Sequence, residues 1–382
     1  MSRLWIQNAK YPIGDAIEHG DILCVDGVIE SVGHIIEAEN AQILDAEGDW
    51  ILPGFLDLHT HGAMGVDVNS ADADGIRRIA RFLAAHGVTG FLCSILTDTE
   101  ERTLRAIEAV REAMHGAGGA QVLGVHLEGP FLSEVYAGAM PKELLRSADA
   151  EWVFRCLKAA SGAIKTITVA PESAGVPELI PTLVREGIVV MLGHSNATYA
   201  EAKRAIDAGA RGITHTCNAM RLFHQHEPAI MGAALLHDVF CEVIADGLHL
   251  HPDALRLLVH CKGADRIIAV SDSIMATGLS DGDYRLGANE ITVTNGDAKL
   301  KGQNVRAGST LTLDRAYNNL ITYAGMTQAQ AAKATATNAA NLLGRSDLGR
   351  IAPGARADLV RLDASGVVRT TLIGAKTVFQ KT

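Results

Sequence analysis

Two rhythms of apolar and polar residues alternate along this chain. Over residues 1–53 the stretches LWIQNA, DILCVDGVIESVG and AQILDAEGDWILP switch between apolar and polar every other residue. Turn signals separate them, such as Asp26-Gly27 and Glu47-Gly48. A period of two is that of strands with one buried face. The same texture returns near the other end, in GRIAPGARADLVRLD and GVVRTTLIGAKTVF. Neither end is long enough to make a stable sheet alone. The two are therefore expected to combine into one small β-domain, residues 1–53 with 346–382, which the chain leaves and re-enters.

Residues 54–345 follow a different rhythm. Apolar runs that end in polar residues alternate with spacers of helical period. The runs are GFLDLHTH, GVTGFLCSILTD, AQVLGVHLEGP, AIKTITVAPE, GIVVMLGHSNAT, ARGITHTCNA, VFCEVIADGLH and RIIAVSDS. Spacers such as ADADGIRRIARFLAAHG and TYAEAKRAIDAGA place apolar residues at 3.6-residue intervals and often close on Gly. Eight such units, recurring about every 20 to 40 residues, predict an α/β fold, a (β/α)8 barrel of the usual ~250 residues. A doubly wound open sheet would place a Gly-rich phosphate turn after its first strand, and HTHGAMG matches GxGxxG poorly.

Composition narrows the classes of function. The 382 residues are 48% hydrophobic and 20% charged, enough for a large core. A formal net charge of −10 with no Lys/Arg-rich run argues against a nucleic-acid partner. Six cysteines stand singly, without a CxxC pair, and read as free thiols in a reducing cytoplasm. MSRLWIQNAKYP has no apolar signal core and no 18-residue apolar stretch follows, so no membrane association is expected.

In a barrel of this kind catalytic side chains come from the carboxyl ends of the strands. Those ends carry His59, His61, Glu128, His194, His215 and Asp272. Imidazole with carboxylate is the ligand set of a divalent transition metal that performs hydrolysis. His59 and His61 are one residue apart, so in a strand both rings face one side. Any one of the six can be an ordinary buried or capping residue; their joint placement is what points to metal. His126, two residues before Glu128, is expected to support the site, and His251 to begin the next helix.

The segments PGFLDLHTHG, LGVHLEGPF, TVAPE, LGHSNAT, THTCNAM, ADGLHL, SDS and RAGSTLTL run in one order through nearly the whole chain. This set resembles the N-acetylglucosamine-6-phosphate deacetylase family of the amidohydrolase superfamily. The resemblance implies a TIM barrel, a β-sandwich built from both termini and a homodimer. It also implies that Glu128, His194 and His215 hold one metal, while His59 and His61 share Glu128 for a second, with Asp272 nearby. Zinc and iron(II) are both suitable, and two ions per chain are expected. A carboxylated lysine is not called for, since Lys165 lies near the start of its strand.

The implied reaction is hydrolysis of the N-acetyl amide of N-acetylglucosamine 6-phosphate, with a metal-activated water as nucleophile and Asp272 as general acid and base. Asn218, Ala219, His249, Arg306, Ala307 and Gly308 match substrate-contact positions. The chain departs from the family pattern at two others. VYAGAMP places Ala139 and Met140 where relatives carry a KGAH-like segment, and NAMRLFHQHEP places His226 where they carry an arginine. Three other readings stay in view: the galactosamine epimer, which shares the reacting acetamide; an unphosphorylated N-acyl amino sugar, suggested by His226 and Met140; and a metal-stabilised binding module without turnover, suggested by Met140.

Overall fold

The eight apolar runs become eight parallel strands. The computed structural model describes residues 2–35, 38–116 and 118–381. The barrel strands are β1 (Phe55–Thr60), β2 (Val88–Leu96), β3 (Gln121–Glu128), β4 (Ile164–Val169), β5 (Val189–Leu192), β6 (Gly212–Ile213), β7 (Phe240–Val243) and β8 (Ile267–Ala269). They pair in chain order, each with the next. The ring closes between the two outermost. Asp272 N–H donates to the His59 carbonyl at 2.8 Å, and His61 N–H donates to the Ser273 carbonyl at 2.7 Å. Every residue of β1 and β2 is buried. Strands covered on both faces read as continuous apolar runs, which is why these did.

Helices pack outside the ring on the faces their periodicity predicts. Ala73–Ala85 is capped by Asp72, which accepts from Gly75 N–H at 2.8 Å, and buries Ile76, Ile79, Ala80 and Leu83. Tyr199–Asp207 starts with a reciprocal capping box between Thr198 and Glu201. His251 caps Pro252–Lys262, as the sequence suggested.

The two ends of the chain meet in a separate sheet. Arg3–Ile13 pairs antiparallel with Ala16–Val25 along one edge; its other edge is shared by Gln42–Asp45 and, at Lys10, by Trp50–Pro53. Trp50–Pro53 then pairs antiparallel with Leu359–Leu362, and this joins amino-terminal to carboxyl-terminal strands. The sheet branches at Arg3–Ile13 and has its own apolar cluster, including Ile6, Tyr11, Ile22, Ile29, Ile51, Leu359 and Leu372.

One element escaped the sequence reading. Gly282–Leu286, Asn289–Thr294 and Asp297–Leu300 form a three-stranded antiparallel sheet inserted after β8. Its signal is Asn295-Gly296 between ITVT and DAKL, with both residues at positive φ, the preferred chemistry of a two-residue hairpin turn. The insert packs Leu286, Ile291, Val293 and Ala298 against Leu96, Leu132, Ala137, Met140 and Ile274 over the carboxyl end of the barrel. Among the described residues no helix is long and apolar enough to cross a membrane.

Candidate active site

All six strand-end groups converge. Glu128, at the end of β3, stands between two pairs of imidazoles. His194 Nε2 and His215 Nε2 lie 3.1 and 3.2 Å from its Oε1, and 3.0 Å from each other. On the other side His61 Nε2 lies 3.2 Å from Oε2, and His59 Nε2 3.1 Å from His61 Nε2. Asp272 completes the group, its Oδ1 3.2 Å from His61 Nε2 and 3.6 Å from His59 Nε2. Two triads result, His59–His61–Glu128 and Glu128–His194–His215, with Glu128 common to both.

This donor set fits divalent metal. Two nitrogens held about 2.0–2.1 Å from one ion at close to tetrahedral or right angles lie about 2.9 to 3.4 Å apart. Both nitrogen pairs fall in that range. The charge balance agrees. Glu128 and Asp272 in the cluster, and Asp57 and Glu242 behind His59, are all buried, and no lysine or arginine pairs with any of them among the described residues. Buried carboxylates demand compensating positive charge. In the metal-free chain protons supply it: burial opposes a charge on His61, but Asp272 and Glu128 outweigh burial and push it up to about 9. Burial likewise opposes ionisation of Asp272, yet His59 and His61 hold it down to about 2. Burial and the neighbouring His59 instead keep His126 neutral, well below the usual histidine range, bonded to Ser94 Oγ and Thr168 Oγ1.

The outer nitrogens explain how the inner ones are aimed. His61 Nδ1 donates to the Ser94 carbonyl at 3.1 Å and His194 Nδ1 to the Tyr136 carbonyl at 2.9 Å. His59 Nδ1 lies 3.3 Å from Glu242 Oε2. Such partners fix the tautomer that leaves Nε2 free to ligate. Three of the six, His194, His215 and Asp272, have positive φ, at 45°, 28° and 49°. Non-glycine residues rarely adopt this conformation, and it concentrates at functional sites. It also ends the ladder early: ARGITHTCNA supplies only Gly212–Ile213 to β6, because the chain turns out of the sheet to bring His215 inward.

Above the cluster opens a cavity of about 320 Å³. His61, Glu128, His194, His215 and Asp272 line its floor, and Leu96, Met140, Leu286, Asn218, His249 and Arg306 are among its walls. Gly308 sits at φ +62°, and a Cβ there would come within 2.9 Å of the Asp272 carbonyl. The loop after the insert therefore approaches Asp272 as closely as only glycine permits.

Residues 50–378 match the family model for the amidohydrolase family. The chain belongs to the amidohydrolase family. It is 35% identical over 373 residues to the N-acetylglucosamine-6-phosphate deacetylase of Bacillus subtilis, covering 96% of this chain and 94% of that one. It is 34% identical over 342 residues to the N-acetylgalactosamine-6-phosphate deacetylase of Escherichia coli O157:H7, covering 89% of each. A mutant N-acetyl-D-glucosamine-6-phosphate deacetylase from Mycobacterium smegmatis, in complex with N-acetyl-D-glucosamine-6-phosphate, superposes with a TM-score of 0.93. Its identity is 31%, and all of both chains is covered.

Around this amidohydrolase floor the substrate-facing residues fare unevenly. Ala139, Met140, Asn218, Ala219, His249, Arg306 and Gly308 all line the cavity. His249 is held by Asp246, Nδ1 to Oδ2 2.7 Å. Burial would raise the Asp246 carboxyl, but His249 keeps it below the ordinary range. Arg306 is already committed, its Nε and Nη2 donating to the two oxygens of Asp297 at 2.8 and 3.2 Å. His226 and Ala307 are not among the lining residues. His226 sits exposed near the tip of a tight turn closed by backbone bonds between His224 and Glu227, and Ala307 is buried in the apolar cluster under the insert. Lys165 donates to the Gly162 carbonyl at the protein surface. Glu242 was not anticipated. It lies inside the run VFCEV rather than at its polar end, and a glutamate amid buried apolar residues was the signal available.

Proposed function

We propose that this chain hydrolyses the N-acetyl amide of N-acetylglucosamine 6-phosphate, releasing glucosamine 6-phosphate and acetate. One observation carries the reading: a carboxylate shared by two imidazole pairs, with Asp272 beside it, at the floor of a small-ligand cavity. A volume of about 320 Å³ is at the lower end of the usual range for such sites. The relatives from Bacillus and Mycobacterium act on, or bind, the same compound by their names.

The site is read as holding two divalent ions per chain, zinc or iron(II), one on Glu128, His194 and His215 and one on His59, His61 and Glu128. When bound, such a metal polarises an acyl carbonyl and acidifies water. The chain's own groups do the rest. Asp272 is ionised, buried and open to the cavity, so it accepts the proton of the attacking water and returns it to the sugar nitrogen as the C–N bond breaks. Asn218, Ala219, His249 and the Arg306–Gly308 loop are assigned to the sugar. Exposed Val135, Leu222 and Phe223 offer apolar surface for a homodimer, which size-exclusion chromatography with light scattering would test.

Acetate release measured on the gluco and galacto epimers, each with and without the 6-phosphate, tests the substrate. The highest kcat/KM is expected for N-acetylglucosamine 6-phosphate. A second reading, the galacto epimer, is favoured by the similarity to the Escherichia coli enzyme. Higher kcat/KM for a neutral sugar would overturn both.

A further inference from the structure

Glu242 touches both triads without belonging to either. It lies on β7 and is buried, and His59 is its one ion-pair partner among the described residues. Its Oε2 accepts from His59 Nδ1 at 3.3 Å and from the backbone N–H of His215, also at 3.3 Å. His59 belongs to one triad and His215 to the other, and each meets the shared Glu128 through its Nε2, at 3.5 and 3.2 Å. The two contacts act differently. On His59 the carboxylate keeps the ring proton at Nδ1, so that Nε2 presents a lone pair, and its charge makes that lone pair more basic. On His215 it holds the main chain.

That main-chain contact matters because the outer nitrogen of the His215 ring has no tether. Its Nδ1 is buried without a partner, whereas the outer nitrogens of His61 and His194 rest on carbonyls. Behind its ligating Nε2, the ring is therefore held only through its backbone, which is in an uncommon conformation at φ +28°. We propose that Glu242 is a positioning residue that couples the two metal positions, one carboxylate oxygen setting the tautomer of His59 and the backbone of His215 together. The inference rests on the two-metal reading above.

The test is metal affinity. Metal-free protein is titrated with zinc against a chromophoric chelator, for the wild type, Glu242→Ala and Glu242→Gln. Each is also made with His61→Asn, which leaves the His194–His215 triad, and with His194→Asn, which leaves the His59–His61 triad. Glu242→Ala is expected to weaken zinc about 10- to 100-fold in both backgrounds, the usual effect of losing a partner behind a ligand. Glu242→Gln keeps an oxygen acceptor for both donors and is expected to recover most of the loss. Should Glu242→Ala not fold, as judged by circular dichroism, Glu242→Leu replaces it at similar volume and without an acceptor.

Unchanged zinc affinity in either background would overturn the coupling, and so would a Gln variant as weak as the Ala or Leu one. A wild type that binds fewer than two zinc ions would instead refute the two-metal reading on which the proposal stands.

Discussion

His61 and Met140 line the same cavity and are held in unlike ways. His61 sits at the end of a strand buried on both faces, its backbone hydrogen-bonded across the barrel closure and its ring pinned between Ser94 and the carboxylates. Met140 sits in a loop, 6% exposed, packed in a satellite cluster formed with the inserted sheet. The first position is dictated by barrel geometry. The second depends on whichever loops cover the barrel, and loops vary without disturbing the scaffold. The floor can thus keep one chemistry while the rim is rebuilt for another substituent, and floor and rim should respond differently to substitution.

The largest effect is expected at the floor. Asp272→Asn preserves shape and removes the base, so kcat should fall by about 10²- to 10⁴-fold, the usual contribution of a positioned acid or base. Zinc content, read by chelator competition, should stay near that of the wild type. Loss of both together would recast Asp272 as chiefly a ligand, and wild-type turnover would remove it from the chemistry.

The next effect separates the floor from the rim by pH. His61 is pushed up to about 9 in the metal-free chain, above its unfolded value, so protons compete with metal for its ring below that pH. Affinity at the His59–His61 triad should therefore fall as pH drops, by about tenfold per unit from this one proton. Asp272, held down to about 2, stays ionised and adds nothing over the same interval. The sign for stability is the reverse. A raised pKa means the folded metal-free chain holds the proton more tightly, a contribution complete below the unfolded value near 6.5 and lost as pH rises through about 9. Thermal unfolding of metal-free protein at pH 6, 7, 8 and 9 checks this; a melting temperature that climbs across that interval would contradict it.

At the rim, Met140→Ala opens a gap in the cluster of Leu96, Leu132, Leu286 and Ile291, and large-to-small changes in a core cost about 2–5 kcal/mol. Part of that cost should be local, because the cluster is separate from the barrel's. KM should rise by about tenfold while zinc affinity is unchanged. A drop in zinc affinity would show that the insert supports the metal ligands, and the division between floor and rim would then be false.

This division also sets what could be read from the sequence. The six convergent groups were legible because a parallel barrel delivers strand ends to one face, so position along each run stood in for position in space. Glu242 was not, since it works from inside a strand, through the far side of His59. The insert was passed over although Asn295-Gly296 marks its turn. His226 stands in NAMRLFHQHEP where the resembling family carries an arginine, yet the turn from His224 to Glu227 leaves it exposed and outside the cavity lining. Barrel geometry constrains strand ends; it says nothing of where a loop side chain finishes.

Arg306 is where the smallest effect is expected, and it tests the rim most directly. It matches a family substrate-contact position, carries the charge a sugar phosphate would want, and lines the cavity. Its guanidinium, however, meets both oxygens of Asp297, and Lys299 approaches the same carboxylate at 3.3 Å. The pair is more than a third exposed on the arginine side, so it contributes at most about 1 kcal/mol. If Arg306 is committed to Asp297, Arg306→Ala should shift KM less than about fivefold, and by the same factor for phosphorylated and unphosphorylated substrate. If the pair opens to take the phosphate, the variant loses a charge-assisted bond worth about 1.5–3 kcal/mol, and KM should rise by ten- to more than a hundredfold for the phosphorylated sugar alone. A rim whose arginine serves its own scaffold leaves phosphate recognition to His249 and to groups outside this cavity wall, and the ratio of the two KM values decides the matter.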